Sequence, residues 1–328
     1  MTQVLIATAL WLAVIGLIIL RGHGAADRST VNATASVGVG LSLNISPLYM
    51  TVDAWLGGHN LTDLIANIAI IFGMSALARG VSRASNEQMW LSKLVLGPRR
   101  TWLTVAITVA AISTLAFSQI EMQGTSARFM IDYGDQPAAA LYSGVQHVYF
   151  GAVTASLAII CAREARRIRG AKRLATIILM LGGAIQTISC LDVLVMDASH
   201  VAGGDGILTA AQGVYDYVNA ISFLLITAGF VLLPVARLLD NRQDDKRSAH
   251  LLGTITPAWE RAQDLESLGA RVEKSDDNGS ALYRLVVEVR DVQATKGHDF
   301  ILTTDEAAAL DEAERHLMGE HSSVRADA

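Results

Sequence analysis

From the N-terminus to about residue 240, long apolar runs alternate with short polar stretches. The runs are Val4–Leu20, Val31–Met50, Leu61–Ala78, Trp102–Ile120, Ala138–Ala162, Leu174–Met196 and Val214–Leu233. About 20 apolar residues cross a bilayer as a helix, with ~17 the lower limit. Val4–Leu20 resembles a signal peptide only superficially: no basic residue precedes it, and Arg21 and Arg28 follow it. It reads as a first span. Val31–Met50 is the weakest span, interrupted by Asn32, Asn44, Ser46 and Pro47, yet removing it would invert the charge pattern of all that follows. The expected fold is all-α: a seven-helix transmembrane bundle with a small, mostly helical C-terminal domain.

Charge orients the bundle. With the N-terminus outside, the three inner loops carry thirteen basic residues and the outer loops one, Arg128. Basic residues are retained on the cytoplasmic side. The densest cluster is Arg163–Arg173, with Arg163, Arg166, Arg167, Arg169, Lys172 and Arg173. The chain then reads as a multi-pass plasma-membrane protein with a cytoplasmic C-terminal domain. A mean hydropathy of +0.37 agrees, as does a charged fraction of 17%, against about 25% in soluble domains.

Beyond the last run the composition changes. Residues 1–250 hold 18 basic and 15 acidic side chains, and residues 251–328 hold 8 and 16. The expected division is 1–240 as membrane domain, Asn241–His250 as a polar linker and 251–328 as an acidic domain. An acidic domain repels phosphate backbones, so nucleic-acid binding by it is not expected. Thr256-Pro257 suits a helix start, with proline in the first turn. Ala281–Val292 has Leu282, Leu285, Val286 and Val289 at helical spacing, although its valines leave a strand open. Thr303–Gly319 opens with a Thr303/Glu306 capping box. A domain this small has a marginal core and is expected to pack on something else, membrane loops or another subunit. One candidate contact is its acidic helix against Arg163–Arg173.

Polar and ionisable groups inside spans are costly and mark sites. Asp63, Asn67, Gln146, His147, Gln186, Asp192, Asp216 and Asn219 fall, on this topology, almost all in the outer half of the bilayer. Tyr142, Tyr149, Tyr215 and Tyr217 join them. One reading is an outward-facing polar pocket, with His147 paired to Asp192 or Asp216. The plainer reading is that amides and tyrosines bond helices to one another and the carboxylates reach interfacial water. On the C-terminal domain, Tyr283, Arg284, Glu288, Arg290 and Asp291 are either a partner-binding surface or a salt-bridged solvated face. The chain shows no HExxH, GxSxG or P-loop pattern, and its histidines lack metal-ligand spacing. No enzymatic activity, cofactor or metal is expected. Cys161 and Cys190 read as small apolar core residues too far apart to bridge.

Two short motifs carry a family resemblance. They are Ser46-Pro47-Leu48-Tyr49 with Asp53, Gly57 and Asn60-Leu61, and Leu282-Tyr283-Arg284 with Glu288-Val289-Arg290-Asp291. On them the chain resembles a family of actinobacterial seven-span membrane proteins with a cytoplasmic C-terminal domain, often labelled transporters. Leu285 stands where that family commonly has a second arginine, and Val292 where it has glycine. The resemblance implies the architecture and no established activity. Three functions follow as expectations. The first is a membrane sensor or regulator whose outer pocket is coupled to a cytoplasmic protein partner through residues 251–328. The others are a small-molecule transporter, proton-coupled through His147 and the outer carboxylates, and a membrane-anchored interaction module without a ligand. Oligomers are compatible with each.

Overall fold

A computed structural model describes residues 2–22, 26–84, 101–203, 205–266, 277–297 and 299–327. Their elements are all helices, with no strand among the described residues. In order these are α1 (Thr2–Gly22), α2 (Arg28–Leu43), α3 (Ser46–Trp55), α4 (Leu61–Ala84), α5 (Thr101–Phe117), α6 (Phe129–Tyr133), α7 (Pro137–Glu164), α8 (Gly170–Val201), α9 (Asp205–Glu266), α10 (Asn278–Lys296) and α11 (Thr304–Asp327). The chain divides at Arg237/Leu238 into two compact units.

Every apolar run lies in a helix, but not always as one straight span. Four helical segments are long and apolar enough to cross a membrane: Gln3–Gly22, Pro137–Glu164, Gly170–Val201 and Tyr217–Asp264. A fifth candidate is the pair α2 and α3, and two shorter apolar helices cover Leu61–Leu77 and Trp102–Phe117. The protein is therefore an α-helical membrane protein. Val31–Met50 is not the continuous helix expected. It breaks after Leu43, and α3 turns 84° away from α2. Pro47 has no N–H to donate back into α2, yet it suits the first turn of a new helix.

The helices of the first unit pack closely because glycines let backbones approach. A Cβ on Gly40 would sit 2.7 Å from the Ala66 carbonyl oxygen, and one on Gly73 3.1 Å from that of Ala33. These positions make α2 and α4 antiparallel neighbours. In α8, Gly182 faces the Ile226 backbone of α9, and Gly183 faces the Thr154 carbonyl of α7. Between these seams Ile71, Val153, Leu157 and Leu179 fill the core. Cys161 and Cys190 are buried and unbridged, as expected. The basic cluster straddles a short turn: Arg163 ends α7, Arg166, Arg167 and Arg169 form the turn, and Lys172 and Arg173 begin α8.

α9 runs without a break across the unit boundary. Asn241–His250, the expected polar linker, is helical. It contains neither glycine nor proline, and its Arg, Lys and Gln side chains are good helix formers, so nothing ends the helix there. Pro257, expected in a first turn, lies inside α9. There it removes one backbone bond, to the carbonyl of Gly253, four residues earlier. The second unit has a core of its own. Leu251 and Ile255 of α9 pack with Leu282, Val289 and Val292 of α10 and Leu310 and Leu317 of α11. Ala281–Val292 is thus a helix, and Asp277 caps it by accepting from the Ser280 N–H at 3.1 Å.

The expected capping box forms at α11: Thr303 N–H donates to Glu306 Oε2 at 2.9 Å, and Glu306 N–H to Thr303 Oγ1 at 3.3 Å. Arg261 grips the same carboxylate with two bonds, 2.9 and 2.7 Å. Those Arg261 bonds above all, helped by the Thr303 N–H, hold the Glu306 carboxyl down at about 2, from an ordinary 4.5. A depressed carboxyl stabilises the fold fully above its unfolded value, and the contribution is lost as pH falls from about 4.5 through 2. Arg261 is half exposed, so the pair is worth about 1–2 kcal/mol. Glu306→Gln should speed amide exchange over the first turn of α11 near neutral pH, and the wild type should lose that protection in acid. Equal exchange in the two proteins at neutral pH would contradict the assignment.

The other acids of α11 are also engaged inside this unit. Arg247 meets Glu312 at 2.7 Å, and Arg290 meets Asp311 and Glu314, each at 2.6 Å. Of the acids Asp305, Glu306, Asp311, Glu312 and Glu314, the last four thus have basic partners within this unit. Arg290 is tied to α11, and Glu288 accepts from the Trp259 indole N–H. Tyr283, Arg284 and Asp291 stay on the exposed face.

Candidate functional site

At one end of the first unit the turn between α3 and α4 is built from backbone that few residues adopt. Gly57, Gly58 and Asn60 all have positive φ, 101°, 74° and 55°. This returns the chain so that the start of α4 lies over Asp53. The Asp53 carboxylate is fully buried. It accepts from the backbone N–H of Asn60 at 3.0 Å and of Thr62 at 3.1 Å, and from the Thr125 hydroxyl at 2.6 Å. A carboxylate at the positive end of a helix, taking its unpaired N–H groups, is an N-terminal cap.

Asn60, also fully buried, ties in the segment between α5 and α7. Its Oδ1 accepts from the Tyr49 hydroxyl at 3.0 Å and the Ser126 N–H at 2.6 Å, and its Nδ2 donates to the Gly124 carbonyl at 2.8 Å. The segment is braced in turn by Tyr133, whose hydroxyl donates to Gly124 O at 2.7 Å, and by Gln136, paired with the Glu121 backbone at 2.8 and 3.0 Å. Beneath it Phe117, Phe129 and Tyr142 form an aromatic cluster with ring centroids 5.4–5.8 Å apart.

Under that lid lies the first group of expected site residues. Tyr142 donates to Asp63 Oδ2 at 2.7 Å, and Asn67 Nδ2 donates to Asp63 Oδ2 at 3.0 Å and to the Tyr142 oxygen at 2.8 Å. Asp63 and Asn67 come from α4 and Tyr142 from α7, so the triad bonds two helices. One turn along α7, Gln146 is 1% exposed and its Nε2 has no hydrogen bond. A second group lies between α8 and α9. Gln186 Nε2 donates to Asn219 Oδ1 at 3.2 Å, and the Ser222 hydroxyl donates to Gln186 Oε1.

His147 does not pair with Asp192: its Nδ1 lies 2.9 Å from the Ser143 carbonyl and 3.2 Å from the Ser143 hydroxyl, one turn back on its own helix. The Asp216 side chain lies outside the described residues. Of those among the eight expected residues whose side chains are described, Asp63 and Asn67 bond α4 to α7, and Gln186 and Asn219 bond α8 to α9. A shallow depression of about 440 Å³ between α4 and α5 is lined largely by apolar groups such as Leu61, Leu64, Phe117 and Met122, and by none of the eight. Among the described residues no three of His, Cys, Asp and Glu are grouped to hold a metal ion.

Sequence reasoning missed Tyr49, Asp53, Asn60, Thr125 and Ser126 as a connected set. A signal for three of them was present: Tyr49, Asp53 and Asn60 belong to the first motif of the family resemblance. Thr125 and Ser126 carry no local mark, because their role depends on a fold that brings residue 125 to residue 53. Compared with models of protein families, with curated proteins and with solved structures, the chain matches none.

Proposed function

We propose that this protein is an integral membrane regulator whose last crossing helix continues into a cytoplasmic partner-binding module. The observation that supports this most is the uninterrupted course of α9 from Asp205 to Glu266. The same helix supplies Asn219 and Ser222 to the membrane unit's polar bonds and Leu251 and Ile255 to the second unit's core. In this reading the protein crosses the plasma membrane seven times, through α1, α2, α4, α5, α7, α8 and α9, with α3 lying along the outer surface. The antiparallel glycine seams and the thirteen-to-one distribution of basic residues support that count and an outside N-terminus.

The partner is a cytoplasmic protein met by the exposed face of α10 around Tyr283, Arg284 and Asp291. The test is capture from membranes with the full chain, with a chain ending at Glu266, and with Tyr283→Ala/Arg284→Glu. A partner held by the full chain and lost from both variants is the expected result. Equal capture by all three would sink the regulator reading. A second reading, a small-molecule transporter, draws support from the carboxylate of Asp63 inside the bundle. Solute uptake into vesicles that persists without residues 267–328 would favour it. A module without any ligand would keep partner capture after every substitution in the polar groups.

A further inference from the structure

The short helix α3 sits at a level of the first unit that two kinds of neighbour mark. On one side are apolar helices: α3 begins where α2 ends, and its Asp53 caps the start of α4. Because α3 turns 84° from α2, it lies across the end of that helix and does not prolong it. On the other side is the segment between α5 and α7, which reaches Asp53 through Thr125 and Asn60 through Gly124 and Ser126. That segment exposes Glu121, Arg128, Asp132 and Asp135. Exposed charges in that number stand in water, while apolar helices of this length stand in lipid. α3 therefore lies where the two media meet.

The surface of α3 is unlike that of its charged neighbour. Its one charged residue, Asp53, is turned inward and fully buried, and Tyr49 is 2% exposed. What it exposes carries no charge: Leu48, Met50 and Trp55 are 41, 45 and 82% exposed, and the rest are Ser, Pro, Thr and Ala. A surface helix in water hides its apolar face and shows its charges; α3 does the reverse. Leu48, Val52 and Trp55 follow at i, i+4 and i+7, so they form one stripe. Trp55 is the most exposed large apolar side chain among the described residues. The rotation that presents it is locked, because Asp53 holds three donors and the Tyr49 hydroxyl donates to Asn60. A protein docking from water meets an apolar centre with a polar rim, and α3 supplies no charged rim. Lipid requires none, and an indole ring suits the headgroup level, apolar in body and polar at its N–H.

We propose that α3 is a lipid anchor, with Leu48, Val52 and Trp55 embedded at the boundary between headgroups and acyl chains and the helix axis along the membrane plane. Amphipathic helices bind lipid in this way, their apolar face about 5–10 Å deep. The anchor would hold the α3–α4 turn, and with it the segment that Asp53 and Asn60 tie down, at a fixed depth. It rests on the seven-span reading in one respect, that α4 crosses the membrane. It does not depend on a cytoplasmic partner or on which side α3 faces.

The test is spin labelling of the full chain in phosphatidylcholine–phosphatidylglycerol vesicles, with Cys161 and Cys190 replaced by alanine. Nitroxides at Leu48→Cys, Trp55→Cys, Phe72→Cys and Asp135→Cys are compared for collision with oxygen, which concentrates in lipid, and with a nickel chelate, which stays in water. The ratio of oxygen to nickel collisions should be several-fold higher at 48 and 55 than at 135, equal at the two, and higher still at 72 in the middle of α4. Seven residues of helix separate 48 from 55 by about 10 Å, so unequal depths would mean that α3 crosses the membrane, and would overturn the anchor. Nickel collisions at 48 and 55 as frequent as at 135 would overturn it by placing them in water. Labels at 48 and 55 shielded from both reagents would overturn it in favour of a protein or a second copy on this face. A label at 72 in water would sink the crossing of α4 and the anchor together, whereas the other failures leave that crossing standing. If the cysteine variants fail to insert, tryptophan emission answers: lipid brominated beside the headgroup should quench the wild type more than Trp55→Phe, and equal quenching would overturn the proposal.

Discussion

Asp53→Ala should lower the stability of the membrane unit by about 3–5 kcal/mol, more than any other single polar substitution in the molecule. The carboxylate is fully buried and takes three donors, the N–H groups of Asn60 and Thr62 and the Thr125 hydroxyl. Alanine leaves all three without an acceptor, and each unpaired buried donor costs about 1–3 kcal/mol, not fully additively. The damage also spreads. Freed Asn60 loses its orientation and with it the bonds to Gly124 and Ser126 that hold the segment between α5 and α7. Asp53→Asn keeps the shape and one acceptor, so its loss should be intermediate. Thermal unfolding of the detergent-purified protein measures both, with a fall of about 10 °C expected for alanine. A fall under about 3 °C would show that these bonds are made to water as readily as to Asp53.

The second large effect comes from adding a single methyl group. Gly40→Ala places a Cβ 2.5 Å from Ile70 Cγ1 and 2.7 Å from the Ala66 carbonyl oxygen. The Ile70 side chain can rotate, but the carbonyl is part of α4 and cannot, so α2 must move away. Gly182→Ala meets the backbone nitrogen of Ile226 at 2.8 Å and forces the same separation between α8 and α9. Each should cost about 3 kcal/mol, the upper part of the usual range for overpacking. Gly16 of α1 is the control, because a Cβ there meets nothing within 4 Å. Gly16→Ala should be neutral or stabilising by up to about 1 kcal/mol through helix propensity. Equal unfolding temperatures for the three variants would refute close glycine packing as the seam between these helices. Cysteine crosslinking across α2 and α4 would show the same result as lost proximity in the Gly40 variant alone.

Both effects rest on features that local sequence marks only faintly. Gly40 and Gly16 are both glycines within apolar helices, and nothing in the residues beside them separates the one that touches a backbone from the one that touches nothing. The same holds for polar groups. Gln186, Asn219 and Asp63 were identifiable as unusual because a polar group in an apolar run is costly wherever its neighbours lie. The partner of His147 was not identifiable. On a helix the Ser143 carbonyl lies one turn back, while a carboxylate on another helix comes within reach only if both helices rotate correctly.

By itself the sequence determined the helical class, the apolar helical runs and the cap of α11, and it left helix and strand both open over Ala281–Val292. Apolar content, periodicity of 3.6 and side-chain-to-backbone capping are properties of adjacent residues, and adjacency is what a sequence records. Tertiary structure decided where those helices bend, which of them run on, and which polar groups meet. The break at Asn44–Ile45 is stabilised by a turn whose anchor, Asp53, needs Thr125 from a segment 72 residues away. The continuation of α9 through Asn241–His250 depends on Leu251 and Ile255 finding α10 and α11 to pack against. These outcomes depend on distances between segments remote in the chain, and only the folded backbone sets them.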